Sequence, residues 1–162
     1  GTFVASEYSL GFDGLLNYYA DSEKVICEDF SEAFISQTGY SSKFAYPYVV
    51  KDSEELLERI AQDDMVRGIT ISAPGFYGPQ GRAIRLPLAD ADLNNKIIGF
   101  DYKGHKVTNF EMEGSAIAGL SAMLGHKALT ICLIIANRFG KRFIGDYKPY
   151  MKKLIETVLE RI

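Results

Sequence analysis

Two carboxylates one residue apart, Glu111 and Glu113 with Met112 between them, form the densest chemistry in this chain. A carboxylate only accepts hydrogen bonds, and one set against an apolar strand can take two hydroxyl donors from a sugar. The competing reading is electrostatic: both glutamates stand where a helix begins, and negative charge there answers the helix dipole for about 0.3–1 kcal/mol each. A second constellation lies in Gly75-Phe76-Tyr77-Gly78-Pro79-Gln80-Gly81-Arg82. Gln80 offers an amide of both polarities, and Arg82 offers a rigid fork of donors two residues later. A flat heterocycle with a carbonyl–NH–carbonyl edge would satisfy both, with Phe76 or Tyr77 as the face on which it stacks. The plainer alternative is a tight Gly/Pro turn with incidental side chains.

The elements around these groups decide where they stand. Lys106–Phe110 is extended by its β-branched and aromatic content, and from Glu111 the period changes, with Ile117, Leu120, Ser121 and Leu124 at helical spacing before Gly125. The apolar run Ala128–Ala136 predicts a central strand covered on both faces, so the unit reads strand, helix, strand. That puts both carboxylates at the strand-to-helix junction where α/β folds place their ligand crevices. Arg67–Pro74 is a strand leading into the Gln80 loop.

Elsewhere, Thr2–Tyr8 reads as a strand followed by the turn Gly11–Gly14. Phe12, Tyr18 and Tyr19 are expected to pack locally, base stacking being the alternative. Ser31–Gly39 is a short helix ended by glycine, and Phe44–Val50 is extended. Asp52, three residues before Glu55, predicts a capped helix through Leu56, Leu57 and Ile60 with its charges in solvent. Phe139–Arg142 and Gly145–Tyr147 are loop, and Lys148-Pro149 opens a last helix. Its stripe of Met151, Leu154, Ile155, Val158, Leu159 and Ile162 should lie on the sheet.

With 162 residues, 47% hydrophobic and 24% charged, the chain suits one α/β domain over residues 1–162. A net charge of −3 with no cluster of Lys and Arg argues against nucleic acid as a partner. No segment has the roughly 18 apolar residues that span a bilayer, so no membrane is expected. Cys27 and Cys132 read as core thiols in a reducing cytoplasm, and His105 and His126, beside glycines in polar turns, as surface residues.

The Phe-Tyr-x-x-Gln-x-Arg loop at Phe76–Arg82 followed by Asn109-Phe110-Glu111-Met112-Glu113 resembles the trimeric and hexameric nucleoside phosphorylases, in particular their uridine-cleaving members. The likeness runs from Gly1-Thr2-Phe3-Val4 through both motifs to Ile134–Arg138 and the last helix. It implies a three-layer α/β/α fold around a mixed, partly barrel-like central sheet. It also implies that these residues are the C-terminal portion of the domain, its N-terminal part missing. The implied reaction is reversible, phosphate-dependent cleavage of uridine to uracil and ribose 1-phosphate, with no metal and no cofactor beyond inorganic phosphate as co-substrate. By the resemblance, Gln80 and Arg82 bind the uracil edge, Phe76 packs on the ring beside Tyr77, and Met112 with Glu113 holds the ribose hydroxyls. Glu111 belongs to the same pocket, and Arg82 and Glu113 are the catalytic pair. A homo-oligomer, dimer or hexamer, is implied as well. The family's glycine-rich phosphate cradle and arginines have no counterpart here, so the chain alone is expected to be inactive. Purine-specific relatives carry an aspartate near the Asn137-Arg138 position, whose absence agrees with a pyrimidine. A purine phosphorylase, a nucleosidase or a non-catalytic stable core are the alternatives.

Overall fold

The computed structural model describes residues 1–137 and 140–162; Arg138 and Phe139, within the expected Ile134–Arg138 stretch and the loop after it, lie outside the described residues. In chain order the elements are β1 (Phe3–Gly11), α1 (Glu28–Thr38), β2 (Tyr48–Lys51), α2 (Glu54–Ile60), β3 (Met65–Ser72), α3 (Leu93–Gly99), β4 (Asp101–Tyr102), β5 (His105–Glu111), α4 (Gly114–Met123), β6 (Ile131–Leu133), β7 (Ala136–Asn137), β8 (Arg142–Phe143) and α5 (Lys148–Arg161).

The sheet is organised on β1, which uses both of its edges. Along one it pairs in parallel with β3 from Phe3↔Met65 to Gly11↔Ser72, with a bulge at Glu7. The other edge is divided: Phe3–Ala5 pair antiparallel with β6, and Tyr8–Gly11 pair antiparallel with β2. β5 adds in parallel to β3, and β4 folds back on β5 as a two-residue hairpin strand. Two strands on one edge of β1 curl the sheet, which gives the mixed, partly closed form expected from the sequence.

The two faces of the sheet differ in chemistry because successive side chains alternate. Leu10, Ile69 and Ile71 point into a core with Phe30 and Phe34 of α1, Ile97 of α3, and Phe100, all buried. Each such side chain contributes about 1.5–3 kcal/mol relative to exposure. α1 stops where Gly39 turns left-handed at φ +61 and returns its N–H to the Ile35 carbonyl. The opposite face carries Ser6, Ser9, Thr70, Ser72 and Asn109, buried beneath α4 and the chain around Thr130. Their hydroxyls and amides are linked: Ser6 Oγ donates to Thr70 Oγ1 at 2.5 Å, and Thr70 and Thr108 both donate to Asn109 Oδ1 at 3.0 Å. At the lower end α2 and α5 pack Leu57, Ile60 and Leu154 against Phe3, Ala5, Met65 and Leu133. Helices thus cover both faces, an α/β/α layering.

Several expectations are corrected. Ala128–Ala136 is not a long central strand: Ile131–Leu133 pair antiparallel on the divided edge of β1, and Ala136 pairs instead with Phe143 in the separate β7–β8 ribbon. Its apolar residues serve the lower core and not a two-sided sheet position. The extended stretch before Val50 shortens to Tyr48–Lys51. Ser53, not Asp52, caps α2, accepting from the Leu56 N–H, while Asp52 is buried. Phe12 packs as expected, but Tyr18 and Tyr19 are exposed. His105 is half-buried, its Nδ1 2.8 Å from Glu7 Oε2 and its ring edge-on to Tyr8. On α5 only Leu154 is fully buried; Ile155, Leu159 and Ile162 face outward.

Candidate functional site

β1, β3 and β5 run in parallel, so their C-terminal ends share one edge, and both constellations leave from it. Ser72 ends β3 directly opposite Glu111, the last residue of β5. The Ala73 N–H donates to the Glu111 carbonyl at 3.0 Å, and the Phe12 N–H donates to the Ser72 carbonyl at 2.9 Å. The loop carrying Gln80 and Arg82 and the turn carrying Met112 and Glu113 therefore start one strand apart, at the position α/β sheets use for ligands.

At the β5–α4 turn, Glu111 is fully engaged. Its Oε1 accepts from the Ser72 hydroxyl, and its Oε2 accepts the N–H groups of Glu113 at 2.8 Å and Gly114 at 2.6 Å. These are donors that the first turn of a helix leaves unpaired, so the helix-dipole reading describes Glu111. Gly114 fits because a Cβ there would lie 2.7 Å from Thr130 Oγ1 and 3.2 Å from the Glu111 carboxylate. Behind the turn, Ser72 Oγ accepts the Ser115 N–H at 2.7 Å, and Ser115 Oγ lies 3.0 Å from the hydroxyl of buried Tyr48. Burial holds that phenol protonated, well above its ordinary range. Glu113 occupies the cap position of α4 without capping it, and both it and Met112 are exposed toward solvent.

The 74–82 loop is organised on itself. A 3₁₀ turn at Gly78–Gln80 with Pro79 leads into Gly81 at φ +72. Gln80 is only 4% exposed. Arg82 Nη1 donates to Gln80 Oε1 at 2.8 Å and to the Phe76 carbonyl, and its backbone N–H donates to the Tyr77 carbonyl at 2.9 Å. The guanidinium carbon stands 3.6 Å from the centroid of the Phe76 ring, so a flat cation covers the face expected to receive a heterocycle. Phe76 and Tyr77 meet edge-on, each about half exposed. Beside the loop opens a cavity of about 750 Å³ between Phe12, Tyr40 and Phe44 on one side and Tyr77, Arg82 and Leu86 on the other. Burial, with Asp13 nearby, keeps the Tyr40 phenol protonated.

The structure thus brings Phe76, Tyr77, Gln80 and Arg82 together, and Glu111, Met112 and Glu113 together, on neighbouring strand ends. Sequence reasoning missed the groups behind them. Asp52, 4% exposed, accepts from Ser9 Oγ at 2.7 Å and from the Thr130 N–H at 3.3 Å. Burial pushes its carboxyl up to about 7, with the Glu111 charge adding to the rise. Asn109 Nδ2 is buried without a hydrogen-bond partner. Cys27 and Cys132 are free and half-buried, and burial raises the Cys132 thiol to about 11. A serine ending a strand, as Ser72 does before Ala73-Pro74, was the one available signal for this frame. Among the described residues no helix is long and apolar enough to cross a membrane.

Three comparisons place the chain. The chain is 30% identical over 100 residues to the inactive uridine phosphorylase B of Schistosoma mansoni, a match covering 55% of this chain and 30% of that protein. It is 34% identical over 82 residues to the uridine phosphorylase of Thermococcus kodakarensis, covering 47% of this chain and 27% of that one. Its fold superposes with a TM-score of 0.84, at 27% identity, on a Trypanosoma brucei nucleoside phosphorylase described as showing uridine phosphorylase activity. That match takes in 99% of this chain and 57% of the other, so the chain spans little more than half the length of that relative. The profile of the phosphorylase superfamily matches residues 1–159, and the chain belongs to that superfamily.

Proposed function

We propose that this chain carries the base- and ribose-recognition half of a uridine phosphorylase, which cleaves uridine reversibly with inorganic phosphate to give uracil and ribose 1-phosphate. The observation that carries the reading is the pairing of Ser72 with Glu111, which sets a Gln–Arg donor–acceptor pair and an exposed carboxylate on adjacent strand ends. In the proposed complex the uracil ring takes the place of the guanidinium on Phe76, and Arg82 turns to the base edge beside Gln80. Cleavage of the C1′–N1 bond leaves negative charge on the uracil carbonyls, which Arg82 meets; a preorganised donor of this kind contributes about 10²–10³ in rate. Met112 and Glu113 hold the ribose hydroxyls and orient the oxocarbenium-like sugar for attack by phosphate, without a protein nucleophile. Glu111, already bound to two N–H groups and a hydroxyl, serves that pocket by fixing the turn.

Phosphate brings close to two negative charges and needs converging N–H groups or arginines. Among the described residues no cation pairs with Glu111 or Glu113, so its contacts are proposed to come from a neighbouring copy in a homo-oligomer, dimer or hexamer, or from sequence beyond these 162 residues. A reducing cytoplasm is the proposed setting, in keeping with two free thiols. A second reading is nucleoside binding without turnover, since the chain is as similar to the inactive Schistosoma protein as to uridine phosphorylase A of the same organism, each 30% identical over 100 residues.

Titration calorimetry with uracil tests the first reading. Binding near the millimolar range is expected, and Gln80→Ala should weaken it about ten- to hundredfold, since leaving buried base-edge groups unpaired costs about 1–3 kcal/mol. Equal affinity in the variant would remove Gln80 from base recognition. Release of uracil from uridine, assayed with and without phosphate, separates turnover from binding alone.

A further inference from the structure

The 74–82 loop is held from outside by one side chain of α3. Asn94 Nδ2 donates to the carbonyl of Gln80 at 3.2 Å. The same amide fills the space beside Gly81: a Cβ on that glycine would stand 2.1 Å from Asn94 Nδ2 and 2.8 Å from its Cγ. Gly81 sits at φ +72, a conformation side-chain-bearing residues rarely adopt. Asn94 is therefore matched to the Gln80–Gly81 peptide both by hydrogen bond and by shape. Its own position is fixed in turn. Ile97 and Phe100 are buried in the aromatic core, and Lys96 pairs with Asp90 at 2.9 Å across the start of α3.

The Gln80–Gly81 peptide governs how Gln80 and Arg82, two residues apart, face one another. Rotating it would swing the Gln80 amide and the Arg82 guanidinium out of register. We propose that Asn94 is a positioning residue for pyrimidine recognition, locking this peptide so that Gln80 and Arg82 present to one base edge. The inference rests on the reading of this loop as a base site.

Two variants separate the contributions. Asn94→Asp keeps the shape and removes the donor; Asn94→Ala removes both. Each should weaken uracil binding by about five- to tenfold, the effect of one lost hydrogen bond. Each should also speed amide exchange at Gly81 and Arg82, whose N–H groups close this turn on Gly78 and Tyr77. Exchange at Glu113 and Gly114, both bound to Glu111, should not change. A double-mutant cycle adds a steric check, because Gly81→Ala should cost less affinity beside Asn94→Ala than alone. Unchanged uracil affinity or unchanged loop exchange in both variants overturns the proposal, and so does faster exchange at both ends of the crevice, which would mark a general structural role. If the unaltered chain takes up no uracil, the base-site reading fails and a recognition role for Asn94 falls with it. The exchange data then still report whether Asn94 orders the loop.

Discussion

The turn at Glu111–Ser115 and the loop at 74–82 leave the same sheet edge but satisfy their polar groups in opposite ways. In the turn, the sheet supplies Ser72, the helix supplies two N–H groups, and Tyr48 closes the network from behind. In the loop the side chains pair with one another, Arg82 binding Gln80 and the Phe76 carbonyl and stacking on Phe76, while Asn94 of α3 holds the Gln80 carbonyl. A network braced by buried strands keeps its shape whether or not a ligand arrives. A self-paired loop must exchange its internal contacts for ligand contacts, so part of its binding free energy is offset by their loss. The proposed ribose end is thus preorganised, and the proposed base end is held in a resting form.

Three perturbations sharpen this contrast, in order of size. Asp52 belongs to the frame behind the turn. The folded protein holds its proton more tightly than an unfolded chain, whose carboxyl titrates near 3.8, so stability should fall as pH rises from about 4 to about 7 and then level off. At about 1.4 kcal/mol per tenfold in proton affinity, the penalty above pH 7 is at most about 4 kcal/mol. Asp52→Asn mimics the protonated form, donating to Ser9 and accepting from Thr130. Urea unfolding across pH 5–8 should show a flattened profile and a variant more stable than the parent at pH 8; a slope equal to the parent's would mean Asp52 titrates normally.

Glu111→Ala strips the turn of its acceptor and leaves Ser72 and two helix N–H groups to water or to nothing. A stability loss of about 2–4 kcal/mol is expected by urea unfolding. A loss under about 1 kcal/mol would show that the turn is not braced there. Glu113→Gln is the smallest change in stability, within about 0.5 kcal/mol, because its side chain caps nothing. In a phosphorolytically competent form of the protein it should still lower uridine turnover more than tenfold. The reverse pattern, lost stability with turnover kept, would return Glu113 to a helix-dipole role.

The sequence made the chemistry of the crevice legible more readily than its support. Glu111, Met112 and Glu113 stood out because carboxylates beside an apolar strand are unusual, and Gln80 and Arg82 because their donors are complementary at short spacing. α5 was legible from periodicity, β3 from its β-branched content, and β1 from the strand-like run before the Gly11–Gly14 turn. What periodicity could not give was pairing. The Ala128–Ala136 run has the composition of a buried strand, but its apolar side chains are equally served by a lower core shared with α2 and α5. Asp52 looked like a cap because a glutamate follows it three residues later, and only the fold shows Ser9 and Thr130 closing over it. Asn94 carried no sequence signal, since its role depends on a glycine 13 residues away whose missing Cβ it replaces.

The divided edge of β1 has a consequence for how the molecule is made. β2 and β3 follow β1 closely in sequence and are available soon after it emerges to pair with its second half and its other edge. The partner for Phe3–Ala5 is Ile131–Leu133, which lies far later in the sequence than β2 and β3 and leaves the ribosome well after them. Until then three residues of an apolar strand present unpaired backbone groups, the geometry on which nascent chains join edge to edge. Closing that gap is a long-range step, slow by topology, and it also docks Leu133 with Leu154 of α5 in the lower core. Aggregation during expression should therefore respond more to substitutions in β6 and α5 than to any in the crevice, although the crevice lies at the opposite end of the strand.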